Sequence, residues 1–294
     1  MRLQKIDLEN KAWQWAILLF LSLIWGTSFI LMKRGLESYS NTQVAAFRIF
    51  FSFVFMLPIT IKNIKVISRD NIRSLIIVGM IGFAIPAFLF TKAQTRIDSS
   101  LAGMLNSLTP LFTLVVGILF YRSHTRWVNI AGLIMGLIGA IGLMWNGDMN
   151  IFKGINAFAL FIVAATICYG INVNEIKFKL VKLSSLEITS LAFLFTGPIA
   201  GIFLLFTDFE PVTKTPDYLL NLAYIAILAL FSSVIAVLVF NHLIKFTTTL
   251  FATSVTYIIP LFAIMWGTID GESIRLIQLI WITVILLGVY LVNK

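Results

Sequence analysis

The chain has 294 residues, of which 59% are hydrophobic and only 12% charged, and its mean hydropathy is +0.96. A soluble domain carries about a quarter charged residues, and no soluble core of this length could hide so much apolar surface. The composition is that of an integral membrane protein. The net charge of +9 is no nucleic-acid signal, because no basic run is interleaved with aromatics and the Lys and Arg residues mark the ends of apolar runs. A lone cysteine, Cys168, allows neither an intrachain disulfide nor a zinc cluster.

Ten apolar runs are predicted as spans, at 13–32, 42–61, 73–91, 99–120, 128–146, 154–173, 186–206, 219–241, 249–268 and 274–292. Each approaches the roughly 20 residues a helix needs to cross a bilayer, and none shows the polar alternation of a barrel strand. The connections average about eight residues, so any function lies between the spans. The first run follows Arg2, Lys5 and Lys11 but continues to about Met32 with no A-x-A site before the next span, and reads as a retained helix.

With a cytoplasmic N-terminus, 14 Lys and Arg residues fall on inside segments and 7 on outside ones, Arg48 within a span completing the 22. The connections are short enough for this bias to orient the chain, so both termini are expected in the cytoplasm.

The chain also echoes itself. LAGMLNSLTPLF at 101–112 and FATSVTYIIPLF at 251–262 share Ala102/Ala252, Pro110/Pro260, Leu111/Leu261 and Phe112/Phe262. A fainter echo sets Trp25-Gly26 beside Tyr169-Gly170, and Ser40 beside Ser184. Five spans per repeat is an odd number, so two such halves would cross the membrane in opposite senses, an architecture recurrent in transporters.

LIWGTSFILMKRGLE followed by AAFRIFF, which contains Arg48, resembles the start of an EamA-like member of the drug/metabolite transporter superfamily. FTKAQTRIDSSLAGMLNSLTPLFTLVVGILFY with IAGLIMGLIGAIGL resembles the close of that family's first repeat, and FATSVTYIIPLFAIMWGTIDGE with ILLGVYL the close of its second. The resemblance implies an all-α membrane protein of ten helices in two inverted five-helix repeats, here 1–147 and 148–294, around a central cavity. It further implies a secondary transporter of small metabolites such as amino acids, an exporter or facilitator in a bacterial inner membrane, with its site lined by the first, third, fourth, sixth, eighth and ninth spans. Two departures stand out. The family places a Glu after both the fourth and ninth spans; Glu272 is present, but Arg122 holds the first-half position. Trp281 stands where the second half would carry a Gly, whereas Gly132 and Gly139 are present in the first.

Candidate site residues follow. Trp25, Thr27 and Ser28 in the first span and Tyr169 and Asn172 in the sixth offer stacking surface, donors and acceptors for an amphipathic metabolite; helix–helix packing would use the same residue types. Asn106 and Thr109 in the fourth span match Thr256 and Tyr257 in the ninth. Beside them Pro110 and Pro260 each remove a backbone donor and should bend their helices, a pointer to a site or gate. Pro86 has no Pro partner in the eighth span. Arg48 is the one cation well inside a span, about 9 Å from its outer end. It is either an anion site or a structural group reaching the interface or a neighbour's carbonyls. Gly132, Gly136, Gly139 and Gly142 form one smooth helix face for close packing, within the protomer or in a homodimer. His124 and His242 have no second ligand at useful spacing, so no metal site is expected. Glu175 and Glu187 lie near span ends, so no buried carboxylate relay is expected and facilitated diffusion or exchange is the simpler mechanism.

No Walker A, H-E-x-x-H or G-x-S-x-G motif is present. The expected partners are a small-molecule solute and the lipid bilayer, without cofactor or nucleic acid. A carrier of nucleotide sugars or phosphorylated metabolites would need at least two cations at depth. A membrane-embedded transferase would need a nucleophile–base or carboxylate pair at the bilayer edge, and none is evident.

Overall fold

A computed structural model describes residues 11–122, 126–144 and 156–292. His124 and the ends of the predicted fifth and sixth spans around 145–155 lie outside the described residues. The main elements are helices α1 (Lys11–Leu36) and α2 (Asn41–Asn63), α3 (Ile72–Gln94) and α4 (Ser99–Tyr121), then α5 (Trp127–Met144), α6 (Ala159–Lys179) and α7 (Ser185–Leu205). They continue with α8 (Tyr218–Phe246), α9 (Phe251–Ile269) and α10 (Leu276–Val292). Among the described residues, nine helices, α1 to α9, are long and apolar enough to cross a membrane, and α10 is shorter, at 17 residues.

Local chemistry sets several starts. Ser40 and Ser184 open α2 and α7 with capping boxes: each serine hydroxyl accepts the backbone N–H three residues on, and Gln43 or Glu187 reaches back to the serine N–H. The longest helices are not uniform. α3 widens into a π-helical stretch at Val78–Ala84 and α8 into one at Leu228–Ile235. α4 and α9 tighten into 3₁₀ turns at Asn106–Leu108 and Ser254–Tyr257, immediately before their prolines.

The helices pack as α5 on α10, α2 on α7, α3 and α4 on α6, and α9 and α8 on α1. Outward-facing side chains such as Leu119, Phe120, Ile202 and Leu261 are apolar and exposed, while Ser22, Ser52, Thr189 and Asn241 are buried. That is the distribution a bundle in hydrocarbon requires.

The glycine face of α5 is occupied by α10 of the same chain. A Cβ on Gly288 would meet the Gly132 carbonyl at 2.7 Å and the Gly136 nitrogen at 2.6 Å, and one on Gly139 would meet Ile285 at 2.8 Å. The Trp281 ring lies against Gly142, so the large residue that departs from the family pattern fills the groove its glycines leave. Of the two uses expected for that face, the close approach it permits is used here within the protomer.

Hydropathy also misplaced α6. The predicted span ends at residue 173, yet the helix continues to Lys179, because its polar residues turn onto neighbouring helices. Asn174 donates from Nδ2 to the carbonyls of Thr113 (2.9 Å) and Gly170 (2.8 Å). Glu175, expected near an end, is buried within α6, accepting from Ser74 Oγ at 2.5 Å and from the Tyr121 hydroxyl.

Candidate functional site

The helices enclose a cavity of about 110 Å³, room for several waters at roughly 10–15 Å³ each. Its wall is mostly apolar, with Trp25, Phe83, Phe90, Phe193 and Phe240 among its rings, and carries a minority of polar groups. The six helices expected to line it do so, and Arg48 on α2 and Phe193 on α7 add two more.

The distorted segments place the polar groups. In the π-helical stretch of α8, the Ser232 carbonyl accepts the Trp25 indole N–H at 3.1 Å, and the Trp25 ring meets Phe240 edge-on with centroids 5.0 Å apart. The next residue, Ser233, accepts from Arg48 Nε at 2.7 Å. In α3, Gly82 makes room for Asn172, whose side chain lies where a Cβ would stand. The proline bends keep their backbone satisfied. Pro110 cannot donate to the Asn106 carbonyl, which accepts the Thr109 hydroxyl at 2.8 Å instead. Pro260 likewise frees the Thr256 carbonyl, which accepts from Ser107 Oγ at 3.2 Å, joining α9 to α4.

Seven of the nine residues expected at the site line this cavity: Trp25, Ser28, Asn106, Thr109, Tyr169, Asn172 and Thr256. The other two lie elsewhere. Thr27 accepts the Trp266 indole N–H at 2.9 Å on the α9 side of α1, and the Tyr257 hydroxyl donates to the Val289 carbonyl of α10 at 3.0 Å. Pro110 and Pro260 stand in the first turn after the 3₁₀ segments, behind the wall. His242 is exposed against Phe246 on α8.

Both ends of the bundle are tied. At the end where α1 finishes, Lys33 pairs with Asp270 (2.6 Å) and Glu272 (2.8 Å), and Arg34 with Asp270. Glu272 also accepts from the N–H groups of Ser99 (2.9 Å) and Ser100 (3.0 Å) at the start of α4, joining α1, α4 and the chain after α9. Burial opposes ionisation of Glu272, but the hydrogen bonds from Lys33, Ser100 and Ser99 outweigh it and hold the carboxyl down at about 2. Gly271, at φ +84°, supplies the left-handed residue that turns the chain there. At the opposite end, Lys177 and Lys245 donate to carbonyls at the ends of α8 and α6.

The profile of the EamA-like transporter family matches residues 13–145 and again 156–294. The chain belongs to the EamA-like transporter family. It is 26% identical over 283 residues to YedA, an inner membrane transporter of Escherichia coli (strain K12), covering 93% of this chain and 88% of that protein. It is 24% identical over 267 residues to an S-adenosylmethionine/S-adenosylhomocysteine transporter of Chlamydia trachomatis serovar L2, covering 87% and 82%. One chain of a crystal structure superposes with a TM-score of 0.66 at 14% identity, covering 96% of both chains, a likeness of fold. This EamA-like chain is therefore a multi-pass membrane transporter of the drug/metabolite transporter superfamily.

Three polar cavity residues on α8 of this EamA-like chain are not evident from the sequence: Ser232, Ser233 and Asn241. Their signal was adjacent serines and an asparagine in the otherwise apolar stretch LALFSSVIAVLVFN. At the family's first-half glutamate position, Arg122 is exposed and takes a left-handed φ of 54° as it ends α4.

Proposed function

We propose that this EamA-like chain is a secondary carrier of small polar or zwitterionic metabolites such as amino acids, working as an exporter or facilitator by alternating access. The observation that carries this reading is the cavity: a chamber of aromatic and aliphatic walls with interspersed polar groups in the middle of the bundle, with ties at both ends. Aromatic faces suit the apolar part of such a solute and the hydroxyl and amide groups its polar part. In the cycle, the Lys33 tie and the Lys177–Lys245 tie would open in turn. The S-adenosylmethionine/S-adenosylhomocysteine relative favours this reading, because those solutes carry an amino-acid end.

We read the chain as two inverted repeats, 1–147 and 148–294, with α10 as the tenth span and both termini in the cytoplasm. Support comes from the two successive profile matches, the capping boxes at Ser40 and Ser184, and paired distortions in α3 and α8 and in α4 and α9. The helix contacts agree: a shift of five helices converts the α4–α6 contact into α9–α1. Among the described residues lining the cavity, Arg48 is the only cation, which disfavours a nucleotide-sugar or phosphorylated-metabolite carrier.

The test is flux from proteoliposomes holding the purified protein and a labelled mixture of amino acids, nucleobases and sugars, with and without a pH gradient. Selective efflux of amino acids is expected. Flux confined to sugars or nucleobases would overturn the substrate class, and silence from demonstrably folded protein would overturn the carrier reading.

A further inference from the structure

We infer that Arg48 is the docking cation for a carboxylate on the transported solute, and that the cavity selects solutes of amino-acid size bearing one carboxylate. The inference rests on the carrier reading and gives that site its ligand chemistry.

Arg48 lines the cavity, and its side chain makes one hydrogen bond, from Nε to Ser233 Oγ at 2.7 Å. Among the described residues Nη1 and Nη2 make no hydrogen bond and no carboxylate stands within 4.0 Å of the guanidinium: the ion pairs all lie elsewhere, and the titratable group that faces Arg48 is the Tyr169 hydroxyl. A structural arginine at this depth would be expected to bind carbonyls or a carboxylate; among the described residues this one lines the cavity and binds neither. An unpaired cation at membrane depth is costly and persists where an anion or water compensates it. The hydrogen bond at Nε orients the planar group, leaving the Nη1–Nη2 edge for a bidentate carboxylate.

The charge balance narrows the ligand. One carboxylate matches one guanidinium, whereas a phosphate dianion would bring a second negative charge with no cation among the described lining residues to meet it.

The rest of the wall suits the other end of such a solute. Among the described residues, Asn172 Oδ1, Asn241 Oδ1 and Ser232 Oγ are buried without a hydrogen-bond partner. Asn241 follows Ser233 by eight residues along α8, about 12 Å of helix, so the cavity has the guanidinium towards one end and the unmatched Asn241 amide oxygen towards the other, with Trp25 and Phe240 among its rings. An ammonium group fits that second end, by a hydrogen bond to the Asn241 amide oxygen and by attraction to ring faces.

The experiment measures binding to the purified full-length protein in detergent, by calorimetry and ligand-induced thermal shift. The probes are the common L-amino acids, their α-carboxamides and the matching monocarboxylates without the amino group. The acids are expected to bind roughly thirtyfold or more tightly than the amides, as expected when one partner of a desolvated charge pair is removed. Arg48→Gln should erase that difference and Arg48→Lys should keep part of it. Equal binding of the plain monocarboxylates would identify a general carboxylate site, and weaker binding a zwitterion site; both support the inference. If Arg48→Gln does not fold, the acid–amide comparison on the wild type decides alone. A panel in which no acid outbinds its amide, or an Arg48→Gln protein that distinguishes them as the wild type does, overturns the inference. Flux of an uncharged solute would then leave the carrier reading standing, whereas silence in every flux assay would remove both.

Discussion

Gly26 on α1 lies so close to Phe262 on α9 that a Cβ on the glycine would run into the Cβ of the phenylalanine. Gly170 on α6 stands in the same relation to Phe112 on α4, where a Cβ would sit 2.8 Å from the phenylalanine carbonyl carbon. The glycines and the phenylalanines are the paired positions of the two sequence echoes, so each half of the chain packs onto the other through one contact used twice. Both neighbours are backbone or Cβ atoms, which cannot swing aside. Gly26→Ala and Gly170→Ala should each destabilise the protein by about 1–3 kcal/mol. Unfolding in detergent followed by scanning fluorimetry checks this, and an unchanged melting temperature for both would contradict the packing.

Lys177 and Lys245 cap each other's helices. Lys177 Nζ donates to the carbonyls of Ile244 (2.9 Å) and Thr247 (2.6 Å) at the end of α8, and Lys245 Nζ to those of Val181 (3.2 Å) and Leu183 just beyond α6. A cation at a helix C-terminus contributes about 0.3–1 kcal/mol, more when half buried. Lys245→Met should therefore lower the melting temperature by about 2–4 °C and make the cavity easier to reach from that face, read as faster thiol labelling of a cysteine placed at Asn241. A slower labelling rate would mean that the pair does not hold this end closed.

Much of this arrangement was legible in the sequence, and the rest was hidden for identifiable reasons. Apolar runs located the helices because the bilayer demands length and composition. Prolines and polar residues within apolar runs mark the depth of the cavity, and Asn106, Tyr169 and Thr256 line it. What hydropathy cannot give in a helix apolar all round is which face turns inward. Thr27 and Ser28 are neighbours about 100° apart around a helix, yet only Ser28 reaches the cavity. The π-helical turn that presents Ser232 and Ser233 leaves no proline or glycine mark in α8. The end of α6 is not legible in the sequence because Glu175 and Lys177 resemble solvated residues, whereas Ser74, Tyr121 and the carbonyls of α8 stand against them.

Trp25 and Asn106 face the cavity from different helices, the first held by the Ser232 carbonyl and the second in the 3₁₀ turn before Pro110. Trp25→Ala combined with Asn106→Ala should abolish flux, because it removes a stacking face and an amide from the wall, while leaving expression and membrane insertion intact. Trp25→Phe keeps the ring but loses the indole N–H, and should lower the rate about tenfold or less, in line with one neutral hydrogen bond. Flux of the double variant at the wild-type rate would remove both residues from the site.

Glu272 makes the opposite end sensitive to acid. Its carboxyl is held at about 2, below its ordinary 4.5, by the hydrogen bonds from Lys33, Ser100 and Ser99, which outweigh the effect of burial. A carboxylate with a depressed folded value stabilises the closed arrangement fully above its unfolded value, and that stabilisation falls away as pH drops from about 4.5 towards 2. Glu272→Gln keeps the shape but not the charge. It should be less stable than the wild type at pH near 7, and the gap between the two melting temperatures should close as the buffer is taken below about 4.5. The same titration on Lys33→Met should show a smaller gap throughout, because Glu272 keeps the Ser99 and Ser100 donors. A gap for Glu272→Gln that stays constant or widens on acidification would show that the carboxylate does not tie α1 to α4.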